Sequence, residues 1–243
     1  MKTVLLAGAG SDIAKAVATR MAQQGYRLQL AGRNLAELEH QAADLRIRYQ
    51  AEVSIHYFDA CQPETHAAFW QEIPSAPDVV ICAFGYLGDQ DKAKTDWAEA
   101  AHILSVNYLG AVSFLQQAAL RMLPRKSGVL VGISSVAGDR GRGSNYYYGS
   151  AKAGFSAFLS GLRNELFSTG IRVLTVKPGF VDTRMTAHLQ LPPLLTASPD
   201  EVAVAILRHL HTGNEVVYVR GIWRLIMLLI RLLPEFVFKR LRL

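Results

Sequence analysis

The sequence predicts an α/β fold: a doubly wound, mostly parallel sheet of seven strands with helices on both faces. Short runs of Val, Ile and Leu alternate with longer amphipathic segments, which is typical of such a sheet. A glycine-rich turn at residues 8–10 follows the first apolar run and precedes the first amphipathic segment. The chain has 243 residues and no linker or repeat, which predicts one domain over residues 1–220 followed by a tail at 221–243.

The elements of this fold can be placed in chain order. Strands are predicted over residues 3–7, 27–31, 53–57, 79–83, 128–133, 172–177 and 215–219, where the short apolar runs occur. One helix is predicted after Ser11, and longer helices over 35–49, 97–121 and 147–168. A Pro-Gly pair at 178–179 ends the sixth strand and opens a loop, residues 180–198, after which a Ser-Pro-Asp-Glu sequence predicts the next helix.

Positive charge is concentrated at the carboxyl end of the chain. The formal net charge is +6, and residues 221–243 hold five basic residues against the single acidic Glu235, a net charge of +4. The same segment is apolar and contains Trp223, but its uncharged runs are too short to span a bilayer. Without a nucleic-acid motif, we expect no nucleic-acid contact and a peripheral contact with an anionic membrane. A dimer contact or a strap across the domain is the alternative.

The two cysteines indicate the compartment. Cys61 and Cys82 are too few for a disulfide framework and have no metal-ligand spacing, so we expect no metal site. Free cysteines are typical of a reducing environment. We therefore expect a cytoplasmic protein, at the inner face of the membrane if the tail binds lipid.

Tyr148 and Lys152 are the first candidate catalytic pair. Residues four apart lie on the same face of a helix, so the ammonium of Lys152 can favour the phenolate of Tyr148 and make the phenol a usable acid near neutral pH. Neither Tyr146 nor Tyr147 has a lysine at this spacing. A solvated surface pair is the alternative, because the spacing also occurs by chance.

Six short motifs in one order extend this pair. They are Gly8-Ala9-Gly10-Ser11-Asp12-Ile13 after the first predicted strand, Cys82-Ala83-Phe84-Gly85 after the fourth, Asn107, Ser135, Tyr148 with Lys152, and Pro178-Gly179 with Thr183. Over its first 220 residues the chain thus resembles the short-chain dehydrogenase/reductases, which have motifs at these intervals. The resemblance implies a Rossmann fold, an NAD(P)-dependent oxidoreductase, and a homodimer or homotetramer.

The resemblance also implies catalytic roles. Reduction of a carbonyl builds negative charge on its oxygen, so one group must donate a proton there and a second must hold the oxygen. Tyr148 matches the acid and Ser135 the second donor, because the family's serine lies thirteen residues before its tyrosine, which disfavours Ser134. Lys152 would lower the pKa of Tyr148 and bind the nicotinamide ribose. Asn107 would hold a water that links Lys152 to solvent.

The cofactor site is implied in the same way. Its predicted residues are Gly8, Gly10, Ser11, Asp12, Ile13, Arg33, Asp59, Ala83, Gly85, Tyr148, Lys152, Pro178, Gly179 and Thr183. An acidic residue after the second strand would repel a 2′-phosphate, whereas Arg33 can bind one. NADP(H) is therefore favoured over NAD(H).

Three departures from the family bear on this site. Asp12 replaces the second glycine of the turn and Ala14 replaces the third. A carboxylate near a diphosphate is unfavourable unless it points away or caps the helix. The segment at 82–85 also lacks two asparagines, so other groups must support the central strands.

The predicted lid and tail bear on the substrate. The loop at 180–198 is the usual lid of the family, is strongly apolar and contains Met185, which suits an apolar substrate, although a lid can also bury apolar residues on its own core. Within the family, the glycine turn, residues 138–146 and the basic tail are most similar to reductases of polyprenyl-phosphoryl 2-keto-pentoses. On this resemblance, Arg140 and Arg142 would hold a substrate phosphate; solvated loop charge is the alternative.

We therefore expect an NADPH-dependent reductase that converts a ketone, either a small molecule or a lipid-linked keto-sugar, to a secondary alcohol. One alternative is a reductase of 3-oxoacyl or hydroxysteroid-like ketones, in which the tail serves oligomer contacts. The other is a cofactor-binding scaffold without turnover, which Asp12 makes conceivable.

Overall fold

The computed structural model describes residues 1–74 and 76–241. Its strands are β1 (Thr3–Ala7), β2 (Arg27–Gly32), β3 (Val53–Tyr57), β4 (Val79–Cys82), β5 (Gly128–Ile133), β6 (Ile171–Lys177), β7 (Phe180–Val181), β8 (Thr196–Ala197) and β9 (Val216–Tyr218). Its α-helices are α1 (Asp12–Gln23), α2 (Leu35–Tyr49), α3 (His66–Glu72), α4 (Gln90–Ala93), α5 (Trp97–Leu104), α6 (Gly110–Met122), α7 (Tyr146–Leu166), α8 (Pro199–His211), α9 (Ile222–Leu232) and α10 (Glu235–Phe238).

Seven of the strands form one parallel sheet. Their order is β3-β2-β1-β4-β5-β6-β9, and each neighbouring pair is parallel. The chain runs outward from β1 to β3 and then returns to the centre at β4, so the order of the strands reverses between β1 and β4. A doubly wound sheet binds its ligands beyond the carboxyl ends of the strands at this switch point. The predicted fold class and number of strands are confirmed.

Alternate residues of the central strands face opposite layers. In β1, Val4 and Leu6 join the core under α1, α2 and α8, whereas Leu5 and Ala7 join the core under α3, α6 and α7. All four side chains are inaccessible to solvent. Because both faces of the sheet are covered, its central strands are nearly continuous apolar runs in the sequence.

The long helix predicted over 97–121 is interrupted. A π-helix, Ser105–Leu109, separates α5 from α6. Within it the buried Asn107 side chain donates to the carbonyl of Ile103 (2.8 Å), one turn earlier, which accounts for the widened turn. The stretch Trp97–Arg125 is long and apolar enough by composition to cross a bilayer, but half of its most apolar window is buried inside the protein.

Two other predicted segments are close to the observed ones. Helix α7 begins one residue before and ends two residues before the predicted 147–168. Helix α8 begins as predicted, with a capping box between Ser198 and Glu201. Inside the predicted lid, β7 and β8 pair in parallel.

The tail packs against the carboxyl edge of the sheet. Helix α9 ends before Pro234, and its Trp223 and Met227 are buried against Val136. The guanidinium of Arg140 donates to the carbonyls of Ile230 (2.5 Å) and Leu233 (2.6 Å). Arg140 also pairs with Glu235 (2.9 Å) and lies 3.8 Å from the ring centre of Phe238, so it fastens both tail helices. Residues 242 and 243 of the predicted tail lie outside the described residues.

Candidate active site

The turn after β1 brings the backbone close to the start of α1. Gly8 has a φ of +78°, and a Cβ there would lie 2.6 Å from the backbone nitrogen of Phe84, so only glycine fits. Ser11 caps α1 by accepting from the Ala14 amide (3.3 Å), and its hydroxyl donates to the Ala83 carbonyl (3.2 Å). This second bond ties the turn to the end of β4 and partly replaces the support expected from the missing asparagines. The free amides at the start of α1 suit a diphosphate.

Asp12 does not leave an exposed charge at this turn. Its carboxylate accepts from the backbone N–H of Arg184 (2.7 Å) and from Arg184 Nε (2.9 Å). The guanidinium of Arg184 also donates to the Gly10 carbonyl and lies 3.6 Å from Glu37. The expected repulsion between Asp12 and a diphosphate is therefore offset by a paired cation. The same bonds fasten the lid to the glycine turn.

Arg33 and Asp59 line one cavity next to the glycine turn. Its volume is about 260 Å³, and Gly10 and Ser11 also line it. Glu37 projects into the same cavity, where its carboxylate accepts from Lys15 Nζ (2.7 Å), a bond that lowers the pKa of Glu37. This cavity suits an adenosine ribose and its phosphate.

A second cavity, of about 340 Å³, holds the catalytic candidates. Ser135, Tyr148 and Lys152 line it together with other residues of the predicted cofactor site, namely Ser11, Asp12, Ile13, Ala83, Gly85, Pro178, Gly179 and Thr183. The two cavities share Ser11, Phe84 and Gly85, so they form one groove from the adenosine end to Tyr148. A dinucleotide fits this arrangement, because its two nucleosides occupy separate pockets joined at the glycine turn.

Ser135 and Tyr148 face one another at the inner end of this groove. Burial raises the pKa of Tyr148 to about 12, while interaction with the Ser135 hydroxyl opposes that rise. The hydroxyl of Ser134 instead bonds to the Lys152 carbonyl (3.1 Å) and to Ser156 (2.7 Å). The structure thus places the hydroxyl of Ser135, rather than that of Ser134, beside the phenol.

Burial, rather than the charge of Lys152, sets the direction in which the pKa of Tyr148 is shifted in this structure. Lys152 is 3% exposed, and its ammonium donates to the Ile133 carbonyl (3.1 Å) and lies 5.7 Å from the centre of the Tyr148 ring. Loss of hydration lowers the pKa of Lys152 to about 8. Burial is the largest effect on both groups, and it shifts each pKa in the direction of the neutral form.

Asn107 lies behind the lysine. Its side-chain amide donates to the Tyr86 carbonyl (2.6 Å), and its Oδ1 accepts from the Tyr86 amide (3.2 Å). A Cβ on Gly85 would lie 3.2 Å from this Oδ1 and 3.7 Å from the Lys152 ammonium, so Gly85 keeps the space between them open. Asn107 therefore also supports the segment after β4, where the family's asparagines are missing.

A third cavity extends from the hydroxyls of Ser135 and Tyr148 toward the tail. Its volume is about 110 Å³, and it is lined by Leu87, Ser135, Val136, Ala137, Arg142, Asn145, Tyr148, Gly179, Phe180, Met185, Thr186, Leu189 and Trp223. Ser135, Tyr148, Gly179, Met185 and Thr186 also line the 340 Å³ cavity, so the two cavities meet at the hydroxyls of Ser135 and Tyr148. A carbonyl at this junction can reach both hydroxyls.

The two arginines predicted to hold a substrate phosphate are separated. Arg140 is 14% exposed in its side chain, and its guanidinium bonds to the tail instead of pointing into the third cavity with Arg142. The reason is the return of α9 and α10 over this loop. Arg142 lines the third cavity beside the catalytic hydroxyls, as does Met185.

Four residues at the site were missed by the sequence analysis. Arg184, Glu37 and Lys15 surround the glycine turn, and Trp223 closes the third cavity. In the sequence, Lys15 and Glu37 look like ordinary charged residues of amphipathic helices. Arg184 belongs to a loop whose pattern is dominated by apolar residues. Trp223 was noted as a membrane anchor, whereas its indole lies against Gly179 and donates to the Leu195 carbonyl (3.1 Å).

Comparison with known proteins agrees with this geometry. Residues 2–192 match the family model for short chain dehydrogenases. An uncharacterized oxidoreductase of Mycobacterium tuberculosis is 40% identical over 241 residues, covering 98% of this chain and 96% of the relative.

Two solved structures have the same fold. A short-chain dehydrogenase from Sphingobium yanoikuyae in complex with NADPH has a TM-score of 0.82 at 22% identity and covers 97% of each chain. A 3-oxoacyl-[acyl-carrier protein] reductase from Brucella melitensis has a TM-score of 0.79 at 22% identity, covering 90% of this chain and 89% of its own. At these identities the likeness concerns the fold alone.

Replacing Asp12 by alanine should loosen the lid. The change removes the acceptor for two N–H groups of Arg184, and a hydrogen bond to a charged group is worth about 1.5–3 kcal/mol. Because Arg184 is largely exposed, we expect the lower end of this range and about tenfold faster amide exchange at residues 183–186 in the cofactor-free protein. Hydrogen–deuterium exchange with mass spectrometry measures this.

Asp200→Ala is the matched control, because Asp200 is also a first-turn carboxylate that binds an arginine through two bonds. Equal protection of residues 183–186 in the wild type and in Asp12→Ala would contradict the role given to Asp12.

Proposed function

The chain belongs to the short-chain dehydrogenase family, and from this premise we propose that it reduces a ketone to a secondary alcohol with NADPH. The observation that carries the proposal is the position of Ser135 and Tyr148 where the groove meets the third cavity, with Lys152 behind them. A carbonyl there has two hydroxyl donors on one side and the nicotinamide end of the groove on the other. NADPH, when bound, supplies a hydride to the carbonyl carbon.

Tyr148 is the proton donor in this proposal. Its phenol keeps its proton at neutral pH, because burial raises its pKa to about 12. As negative charge develops on the carbonyl oxygen, a donor in a site shielded from water stabilises that charge more than water would. Ser135, whose hydroxyl accepts from the Ala137 amide (3.1 Å), is held in place as the second donor.

Lys152 supplies positive charge when the phenol loses its proton. With a pKa lowered to about 8, Lys152 is mostly protonated at neutral pH yet can exchange a proton near it. Its ammonium also lies in the cavity that we assign to the nicotinamide ribose. The side chain of Asn107 bonds to the carbonyls of Tyr86 and Ile103 and so holds the backbone of residues 85–86 near Lys152. This position supports the proposal that Asn107 holds a water beside Lys152.

The charges around the glycine turn support NADPH over NADH. Lys15 and Arg184 are paired with Glu37 and Asp12, whereas Arg33, on the wall of the 260 Å³ cavity, forms no ion pair among residues 1–74 and 76–241 and is free to bind a 2′-phosphate. Gly8, Gly10, Ser11 and Ile13 would hold the diphosphate, and Asp59 the adenosine. The direction of reaction follows, because NADPH is a reductant.

The substrate proposed is a ketone with a long apolar part, and specifically a polyprenyl-phosphoryl keto-sugar. Apolar residues from three segments, Val136, Phe180 and Trp223, line the third cavity, and Trp223 belongs to the tail. A 3-oxoacyl thioester, which also joins a ketone to a long apolar chain, is the alternative. In both cases the apolar part would leave the site between the lid and α9.

The tail offers a surface for lipid at the same end of the molecule. Its outward side chains Leu225, Leu228, Leu229, Leu232 and Phe236 are each more than half exposed. The nearby cations Arg224, Arg231, Lys239 and Arg240 form no ion pair among the residues that the structure describes. A symmetric dimer through this face would bring like charges together, whereas an anionic bilayer complements them. On this proposal the protein works at the inner face of the cytoplasmic membrane.

Tyr148→Phe should reduce kcat by about 10² to 10⁴ for any ketone that the wild type reduces, because loss of a positioned acid has this cost. The run of three tyrosines provides the control: Tyr146→Phe and Tyr147→Phe should keep the wild-type rate. Oxidation of NADPH, followed by its absorbance beside NADH over a panel of ketones, measures the effect and the cofactor preference. A Tyr148→Phe enzyme with full activity would contradict the assignment, and NADPH binding without turnover of any ketone would favour the scaffold.

The full-length protein should sediment with vesicles that contain phosphatidylglycerol and much less with neutral phosphatidylcholine vesicles. Leu228→Ser with Leu232→Ser should weaken this binding at least tenfold, because each buried leucine contributes about 1.5–3 kcal/mol. Ile47→Ser with Phe167→Ser is the control, since both side chains are exposed but lie outside the tail.

Equal binding of the wild type to both vesicles, or a concentration-dependent dimer that the tail variant abolishes, would refute the lipid contact.

A further inference from the structure

Arg142 is a cation without a counter-ion beside the catalytic hydroxyls. It is partly buried and lines the same cavity as Ser135 and Tyr148. Its Nε is buried and has no hydrogen-bond partner, and no ion pair of Arg142 occurs within residues 1–74 and 76–241. Loss of hydration lowers its pKa from the ordinary arginine value. A partly buried charge without a counter-ion is unfavourable, so this position carries a cost in the free protein.

The acidic groups near this loop are already used by other cations. Asp139 attracts Arg142 at a distance, but its carboxylate accepts from Lys177 (2.5 Å) and from the Tyr218 hydroxyl (2.8 Å). Glu235 is bound to Arg140. After these pairings, neither Asp139 nor Glu235 is left as a counter-ion for Arg142 within the part of the chain that the structure describes.

The cavity itself contains one further unpaired polar atom. The Oδ1 of Asn145 is buried without a partner, and Asn145 lines the cavity next to Arg142. The rest of the wall is mainly apolar, with Leu87, Val136 and Phe180 among its residues. A charge surrounded by such a wall interacts with an opposite charge more strongly than it would in water.

We propose that Arg142 binds an anionic group of the substrate, either a carboxylate or a phosphate ester, on the same molecule as the carbonyl held by Ser135 and Tyr148. The inference rests on the proposed function and narrows its substrate to ketones that carry such a group. Guanidinium binds both anions through paired hydrogen bonds, so the shared chemistry is an oxyanion with two acceptor oxygens. Asn145 lies where it can bond to a hydroxyl of the same substrate.

Arg142 is the specificity-determining residue in this account, and Arg140 is excluded because the tail uses its guanidinium. The two arginines of the loop before α7 thus have different roles. Arg140 holds the tail over the cavity, and Arg142 determines which substrates bind in it.

Matched pairs of ketones test the proposal. Levulinate is compared with its methyl ester, and a ketopentose phosphate with the unphosphorylated ketopentose. The same ketopentose phosphate, esterified to a polyprenol in vesicles, shows whether the enzyme prefers a lipid-linked phosphate or a free one. The wild type should prefer the anionic member in kcat/KM, mainly through KM. In Arg142→Met the ratio of anionic to neutral kcat/KM should fall tenfold to a hundredfold, and Arg142→Lys should recover part of it.

Arg208→Met is the control for net charge, since Arg208 is exposed on α8, and it should keep the wild-type ratio. Thermal unfolding separates a binding role from a structural one. Removal of an unpaired buried cation should leave Tm unchanged or raise it, whereas a structural arginine would lower Tm when replaced.

Calorimetry with the corresponding alcohols, in the presence of NADPH, which cannot accept a hydride from them, makes the test independent of turnover. Tighter binding of the anionic alcohols, lost in Arg142→Met, supports the inference even if no ketone is reduced and the proposed function fails. A wild type that does not distinguish charged from neutral ligands, or an Arg142→Met protein that keeps the distinction, overturns it.

Discussion

Burial of the phenol of Tyr148 and the ammonium of Lys152 is the constraint on which the site depends. Both groups lie at the carboxyl edge of the sheet, where loss of hydration moves their pKa values to about 12 and about 8. Lys152 is buried, and Tyr148 is partly exposed where it lines the cavities, so the segments above them limit their contact with water. The lid and the tail provide the cover, and the Ile133 carbonyl holds the lysine in place.

Two arginines join these covers to the sheet. Arg184 fastens the lid to the glycine turn through Asp12, and Arg140 fastens the tail through carbonyls at the end of α9. Each bond links a segment far along the chain to a residue at the cofactor or substrate end of the site. The bonds at Asp12, where the family has a glycine, thus join the lid to the turn that we propose to hold the diphosphate of the cofactor.

Much of the fold was predictable, because its signals are local. The apolar runs predict the seven strands to within a residue or two, and Ser198 predicts the start of α8. The motifs also indicated which residues gather at the carboxyl edge. The π-helix at Asn107 and the use of Arg140 by the tail were not predictable, because both depend on contacts between distant segments. The raised pKa of Tyr148 was not predictable for a related reason. The spacing of residues along a helix identifies the neighbours of a side chain but not how much water surrounds it.

The central claim is that this buried site transfers hydrogen from NADPH to a ketone. The most direct measurement is to incubate the protein with NADPH deuterated at C4 and a ketone, and to locate the label in the product by mass spectrometry. The account predicts one deuterium on the carbon that bears the new hydroxyl, at a rate that depends on Tyr148. Tight binding of NADPH without a labelled alcohol from any ketone, anionic or neutral, would contradict it.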